Sequence, residues 1–323
     1  MKRRALLKAA ASTPLYAAWP AAMRAQDSKT LRIVVPNAPG GTSDILARLI
    51  SRPFGEILGR TVVVDNRTGA GGNIGAGVVA HSPADGSNLV LMDVSTLATN
   101  PALFPSLNFD SSKDLAPVSM VIYAPYILAV NNALPVTDAA SFAAYAKQNP
   151  GKLNAGNAGN GTLSHLTLVA LAAGLNSPMA HVPYRGGAPS LAALAGNEIN
   201  LTVAGATQSM PFVLQKQIRG IAVTGPRRMS QLPDLPTFAE MNWPSPQAGT
   251  WQGLLASGKT PPETLAKLED ALRKTVAQPA VAERIAQLGA EPRIDGPDAF
   301  RKWLGQETEA LGKLIRENKI TAE

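Results

Sequence analysis

The chain reads as an α/β protein of two lobes, each a sheet flanked by helices, joined by two crossover strands. Three observations carry this reading. First, apolar β-branched runs lead repeatedly through glycine turns into helical patterns, as Leu31, Ile33, Val34 and Val35 lead through residues 36–44 into Ile45, Leu46, Leu49 and Ile50. Second, two distant segments share one layout of apolar strand, polar turn and helix cap: residues 123–130 followed by 135–138, and 251–256 followed by 257–263. Strands that cross between lobes have this layout, so residues 126–250 are expected as a second lobe inserted into a first made of 26–125 and 251–323. Third, 323 residues with 45% hydrophobic content suffice for two cores.

Residues 1–25 stand apart as an export signal. Lys2, Arg3, Arg4 and Lys8 precede an Ala-rich apolar stretch over 9–22, and Arg3-Arg4-Ala5-Leu6-Leu7-Lys8 resembles a twin-arginine signal with Leu6 in place of the usual Phe. Cleavage is expected near Ala25, with Met23 at the −3 position. The stretch is interrupted by Pro14 and Pro20 and falls short of the roughly 20 residues of a spanning helix. It holds five cations and no acid, so the net charge of +7 falls to +2 without it. What remains has no Lys/Arg block and no basic stripe interleaved with aromatics, which argues against nucleic acid as a partner. With no Cys, the chain has no disulfide, thiolate metal site or lipid-attachment cysteine. A soluble monomer outside the cytoplasm is expected, with no cofactor and no metal.

The first strand ends in Pro36-Asn37-Ala38-Pro39-Gly40-Gly41-Thr42-Ser43-Asp44. Gly40 and Gly41 allow a sharp turn, and Thr42, Ser43 and Asp44 are good caps for the first free N–H groups of a helix. Converging N–H groups and the helix dipole make such a start an anion site, so a carboxylate or phosphate is expected over Gly40 and Gly41. Any α/β protein can contain a capped turn of this kind; a similar construction near Gly161 favours a ligand. Residues 61–65 form the next strand, followed by a second glycine loop over 66–75 and a helix over 74–80. Gly75-Ala76-Gly77-Val78-Val79-Ala80 fits a dinucleotide fingerprint only formally, because its glycines lie inside the helical pattern and not in the first strand-to-helix turn. The strand over 88–92 delivers Asp93, Ser95 and Thr96 to the edge that carries Gly40 and Gly41 if the strands are parallel. Ligands bind at that edge of open α/β sheets.

In the inserted lobe, residues 153–162 read as a polar, Gly-rich loop opening a helix (Leu163, Leu166, Val169, Ala170), with Asn160 and Gly161 in the turn and Thr162 as cap. This is the second anion-ready start. His165, one turn inside, reaches either a ligand or a backbone carbonyl. Residues 181–187 start a further βα unit, and a strand over 199–203 ends in a small-residue floor, Ala204-Gly205-Ala206-Thr207. Arg185 is the one cation beside these loops, either pairing bidentately with a carboxylate or standing as a solvated surface charge. Residues 261–323 are mainly amphipathic helix, covering the first lobe.

Taken together, these residues resemble the tripartite tricarboxylate transporter substrate-binding proteins, also called the Bug family of periplasmic receptors. The similarity covers nearly the whole mature chain in seven short pieces: Pro39-Gly40-Gly41 with Asp44 and Ala47-Arg48; Val64-Asp65-Asn66-Arg67 with Gly69-Ala70-Gly71-Gly72; Gly159-Asn160-Gly161-Thr162 with His165-Leu166; His181-Val182-Pro183-Tyr184-Arg185-Gly186; Ala222-Val223-Thr224 with Arg228; Leu232-Pro233-Asp234-Leu235-Pro236-Thr237; and Trp251-Gln252-Gly253. The resemblance implies a type II periplasmic-binding-protein fold that closes on a small organic acid and is recognised by a membrane permease or a sensor. It further implies that the ligand carboxylate is held, directly or through ordered waters, at Gly40 and Gly41 of one lobe and Asn160, Gly161 and Thr162 of the other. The expected ligand-binding set is Asn37, Gly40, Gly41, Asp44, Ser95, Thr96, Asn160, Gly161, Thr162, His165, Arg185 and Thr207. Two departures bear on the ligand. Asn37 and Ala38 are small where family members often carry a bulky residue, and Ala204-Gly205-Ala206 replaces a polar or acidic side chain common in the family. A ligand ammonium finds no partner on that floor, which favours a plain mono- or dicarboxylate, aromatic ones included, over an amino acid.

Two helix starts on separate lobes give a closed state that is stabilised only when one ligand touches both. The competing class, a periplasmic hydrolase or redox enzyme acting on a small acid, meets a chain with no Cys, no G-x-S-x-G elbow, and only His81, His165 and His181, none at metal-ligand spacing with another. No enzymatic activity is expected. A third reading makes the protein the ligand-presenting component of a signalling system.

Overall fold

The structure, a computed structural model, describes residues 30–104, 106–246, 249–317 and 320–321; the expected export signal over 1–25 lies outside them. Strands β1 (Thr30–Val35), β2 (Thr61–Asn66) and β3 (Asn88–Asp93) run parallel in the order β2-β1-β3. Leu31, Ile33, Val34 and Val35 are fully buried on both faces of β1, as a parallel strand covered by helices on both sides requires. The parallel pairing brings the ends of β1 and β3 to one edge, so residues 36–41 and 93–96 meet there as the sequence suggests.

The central element is β4 (Leu115–Val130), buried along its whole length. Up to Pro125 it pairs antiparallel with β9 (Gly249–Ser257), which pairs in turn with β3. From Tyr126 onward it lies between β7 (Leu201–Gly205) and β8 (Arg219–Val223). The second sheet is completed by β5 (Asn154–Asn157) and β6 (Ala180–Pro183), parallel to each other and, through β5, to β7. A short β10 (Glu291–Pro292) pairs with β4 beside the first sheet. One strand therefore runs through both sheets and changes partners between Pro125 and Tyr126.

Three elements differ from the sequence reading. Among the described residues, the segment expected as a second crossover strand, β9, pairs only with β3 and with β4 up to Pro125, so β4 alone enters both sheets. The strand expected over 123–130 begins at Leu115, because Pro117 disguises the pattern. Proline offers no ladder N–H, and the pairing with β9 shifts register beside it, between Pro117 and Ser119, and again between Met120 and Ile122. The loop expected over 153–162 opens with β5, a strand of Asn, Ala and Gly with none of the usual β-formers. It exists because β6 and β7 flank it, and Ala155 and Asn157 are fully buried there.

The helices are α1 (Thr42–Leu58), α2 (Asn73–Ala80), α3 (Val94–Leu103), α4 (Ala139–Gln148), α5 (Leu163–Gly174), α6 (Gly187–Ala195), α7 (Ala206–Leu214), α8 (Pro262–Val276), α9 (Pro279–Gln287) and α10 (Pro297–Glu317). On one face of the first sheet, Leu46, Ile50 and Phe54 of α1 share a core with Leu268, Leu272 and Val276 of α8. On the other face, α10 packs against α3 through Phe300, Leu304 and Leu311, and this core continues into the second lobe at Phe142 and Leu166. Burying each such Leu or Phe is worth roughly 1.5–3 kcal/mol. The C-terminal helices thus cover the first lobe.

Candidate functional site

The C-terminal edges of the parallel strands face one another across a cleft with two adjoining chambers. The inner chamber measures about 70 Å³ and the outer about 470 Å³, and Asn37, Asp93, Thr96, Ala158, Thr162 and Gly186 line both. The lobes touch around it. A Cβ added to Gly161 would lie 2.0 Å from Cδ1 of Leu103, and one on Gly40 would lie 3.6 Å from Cβ of Ala188. Gly161 also has φ of +73°, so a side chain there is disfavoured twice over.

Three helix starts reach the inner chamber. Gly41, Gly186 and Gly205 are the N-cap residues of α1, α6 and α7, none provides a side-chain cap, and all three line this chamber. A glycine N-cap leaves the first-turn N–H groups without an internal acceptor. Thr42 Oγ1 and Gln208 Oε1, whose residues line the same space, are buried without a hydrogen-bond partner. Convergent N–H groups, three positive dipole ends and an unpartnered hydroxyl are the chemistry of an oxyanion site.

The twelve residues expected from sequence separate into those that face the chambers and those that support them. Asn37, Gly41, Thr96, Asn160, Thr162 and Arg185 line one chamber or both. Gly40 and Gly161 do not offer their amides to the cleft. The Gly40 N–H donates to Asp44 Oδ2 at 2.9 Å, and the Gly161 N–H donates to His165 Nδ1 at 3.0 Å. Asp44 is a brace: its carboxylate also receives Asn66 Nδ2 at 3.0 Å and pairs with Arg48 at 2.9 Å. Burial alone would raise its pKa, but hydrogen bonds from Arg48, the Gly40 N–H and Asn66 outweigh this and hold it below the usual carboxylate range. His165 meets neither a ligand-facing surface nor a backbone carbonyl. As an acceptor from Gly161 it is neutral, and burial, followed by the neighbouring His181, pushes its pKa down to about 4. Ser95 and Thr207 are buried in the first turns of α3 and α7, away from both chambers. Thr162 caps α5 as expected, its Oγ1 accepting from the His165 N–H.

A polar relay lines the inner chamber where β4 passes from one sheet to the other. Ser43 Oγ donates to Gln252 Oε1 at 2.7 Å, Gln252 Nε2 to Thr250 Oγ1 at 2.7 Å, and Thr250 Oγ1 to Asp93 Oδ2 at 2.7 Å. Tyr126 OH donates to the same oxygen at 3.1 Å, and the Ser95 N–H to Oδ1 at 3.0 Å. Asp93 therefore joins the end of β3 to both strands at the crossing. Its burial raises its pKa, against the opposing pull of these hydrogen bonds. The sequence reading placed Asp93 at the cleft edge without counting it as a site residue, and missed Thr250, Gln252 and Gln208. Thr250 and Gln252 flank Trp251 at strand period, which puts them on one face; the doublet Gly186-Gly187 before an apolar helix was likewise visible. Gln208 carries no local signal.

The model of the tripartite tricarboxylate transporter family receptor matches residues 46–320. The chain belongs to this receptor family. A UPF0065 protein from the tcbD-tcbE intergenic region of Pseudomonas sp. (strain P51) is 36% identical over 296 residues, covering 91% of this chain and 88% of that protein. A solved structure described as a periplasmic transporter superposes with a TM-score of 0.88 at 34% identity, covering 95% of this chain and 100% of the other. Rpa4515 of R. palustris, solved with adipate, gives a TM-score of 0.86 at 31% identity over 94% and 99% of the two chains. The fold is accordingly the two-lobed α/β architecture of periplasmic binding proteins. This tripartite tricarboxylate receptor is a periplasmic solute-binding protein that works with a membrane transporter, and it is a receptor and not an enzyme. Among the described residues, no cluster of His, Cys, Asp or Glu is disposed to hold a metal ion, and no helix is long and apolar enough to cross a membrane.

Proposed function

We propose that the receptor captures a small organic carboxylate between a lobe made of residues 26–125 and 251–323 and a lobe made of 126–250, with the ligand carboxylate in the inner chamber. The carrying observation is the meeting of three glycine-capped helix starts around unpartnered Thr42 Oγ1. At about 30 Å³ per water, 70 Å³ accommodates about two water-sized groups, the size of two carboxylate oxygens. A half-turn of the Gln208 amide would present Nε2 in place of Oε1 to the anion. Each helix start contributes about 0.3–2 kcal/mol toward a charge, so three of them with direct hydrogen bonds make micromolar affinity, about −8 kcal/mol, attainable. Because α1 belongs to the first lobe and α6 and α7 to the second, an anion that engages all three favours the closed arrangement. The closed form is then what the transporter recognises. The adipate in Rpa4515 supports an acid as ligand.

Isothermal titration of dialysed protein against a panel of organic acids tests this. Thr42→Val is expected to weaken binding of any acid that binds by about tenfold, through loss of one charge-assisted hydrogen bond. A liganded crystal structure with the carboxylate outside the inner chamber would overturn the assignment.

A further inference from the structure

We infer that the ligand is a monocarboxylic acid with an apolar body, the body filling the outer chamber. This rests on the proposed seat of the carboxylate and adds the class of acid. Charge comes first. Among the described residues lining the two chambers, Arg185 is the only cation and Asp93 the only acid. The lining is neutral overall, and the inner chamber already takes one negative charge on backbone dipoles. A malate- or citrate-like ligand would bring further carboxylates to walls with one exposed arginine to receive them, at the full cost of removing those charges from water.

The walls supply the second argument. Pro36, Ile74, Met92, Phe104 and the ring of Tyr184 line the outer chamber, from both sides of the cleft. Ile74 keeps 52% of its surface exposed, although it stands in the first turn of α2 beside a buried core. It leans over Gly69, where an added Cβ would lie 2.5 Å from Ile74 Cδ1. The turn preceding α2 holds Ala70, Gly71 and Gly72 at positive φ, and an added Cβ on Gly71 would lie 3.2 Å from the Phe104 ring. Ala70, a non-glycine at φ of +46°, adopts a strained backbone here, and Ile74 faces open space with Phe104 and Tyr184 part-exposed beside it, while Pro36 and Met92 are buried. An exposed apolar side chain in a concave wall marks a surface that a ligand covers. Third, size: about 470 Å³ is room for about fifteen water-sized groups, enough for an aromatic ring or a medium-length alkyl chain.

The test is a homologous series, acetate, butyrate, hexanoate and octanoate, with benzoate, phenylacetate, adipate, malate and citrate beside it, titrated calorimetrically into dialysed protein. Affinity is expected to rise by about fourfold per added methylene until the chamber is full. Phenylacetate or hexanoate should bind at least tenfold more tightly than malate or citrate. Ile74→Asn, which adds no charge at a half-exposed position, should weaken hexanoate and phenylacetate by tenfold or more and acetate, too short to reach it, much less; Ile74→Ala should give an intermediate loss on the long acids. A flat series, or malate, citrate or adipate binding more tightly than hexanoate, overturns the inference and leaves the carboxylate seat standing. If none of the acids binds, both fail together.

Discussion

The backbone N–H of Gly161 donates to Nδ1 of His165, four residues on, at 3.0 Å. This bond occupies an amide that the Gly-rich turn would otherwise offer to an anion, and it requires the imidazole to stay neutral. Burial, and then His181 with its ring 4.9 Å away at an edge-to-face angle, keep the His165 pKa near 4.

Acid stability follows from that depressed value. At pH above about 6.5, the ordinary histidine value, both folded and unfolded chains are neutral at this position and stability does not depend on it. As pH falls from about 6.5 to about 4, the unfolded chain takes a proton that the folded one refuses, so stability is lost across this window, by about 2 kcal/mol after allowance for solvent screening. His181, pushed down by burial, acts in the same direction. Urea midpoints at pH 7.5 and 4.5 should show the loss, and His165→Asn, which retains an acceptor, should flatten the slope without abolishing it.

Asp44 has the opposite chemistry and a related job. Its depressed pKa means that the stability it contributes is present above the usual carboxylate range and lost as pH falls below it. Asp44→Ala leaves the Gly40 N–H without its acceptor and Asn66 Nδ2 with the Asn37 carbonyl alone, and is expected to cost about 2 kcal/mol in chemical denaturation at pH 7. Asp44→Asn should cost less, because one amide oxygen remains to accept.

Asp93 opposes an anionic ligand when ionised. Its pKa is raised by burial, so carboxylate binding should tighten as pH falls through the raised value. In Asp93→Asn, affinity at alkaline pH is expected to improve by about tenfold, and the dependence of affinity on pH to flatten, in calorimetric titrations. An unchanged pH profile in the variant would show that Asp93 does not feel the ligand.

Leu103 and Gly161 touch across the cleft, which makes closure sensitive to one methyl group. Gly161→Ala places a Cβ 2.0 Å from Leu103 Cδ1 at a φ of +73°. Carboxylate affinity should fall by about tenfold, and small-angle scattering should show a more open liganded state. Leu103→Ala in the same chain should recover part of the affinity by removing the clash, which an effect through the Gly161 amide would not allow.

Much of this protein was legible in its residues. Continuous apolar runs identified β1, β2, β3 and β9, and a 3.6-residue apolar face identified the helices of the C-terminal region, because a strand covered on both sides is apolar throughout whereas a helix buries one face. Pro117 hid the start of β4 by removing a ladder donor, and the Asn-Ala-Gly-Asn of β5 carries no strand preference of its own; its neighbours impose the conformation. Thr162 is readable as a helix cap because capping is decided within four residues; at the first start the sequence points to Thr42, Ser43 and Asp44 as caps, whereas Gly41 takes the cap position and those three lie inside the first turn.

The sequence by itself determined the composition of the site: glycine turns before helices, small residues on the floor, few charges. Only the tertiary structure decided which starts converge. Gly41, Gly186 and Gly205 come from distant parts of the chain and meet because the strands before them end at facing edges of two sheets that share β4. It also decided that the amides of Gly40 and Gly161 are taken by Asp44 and His165, since a side chain turns toward its own backbone or toward the cleft according to what packs around it. Local preferences are set by a few neighbouring residues, whereas convergence depends on strand order and core packing summed over the whole chain.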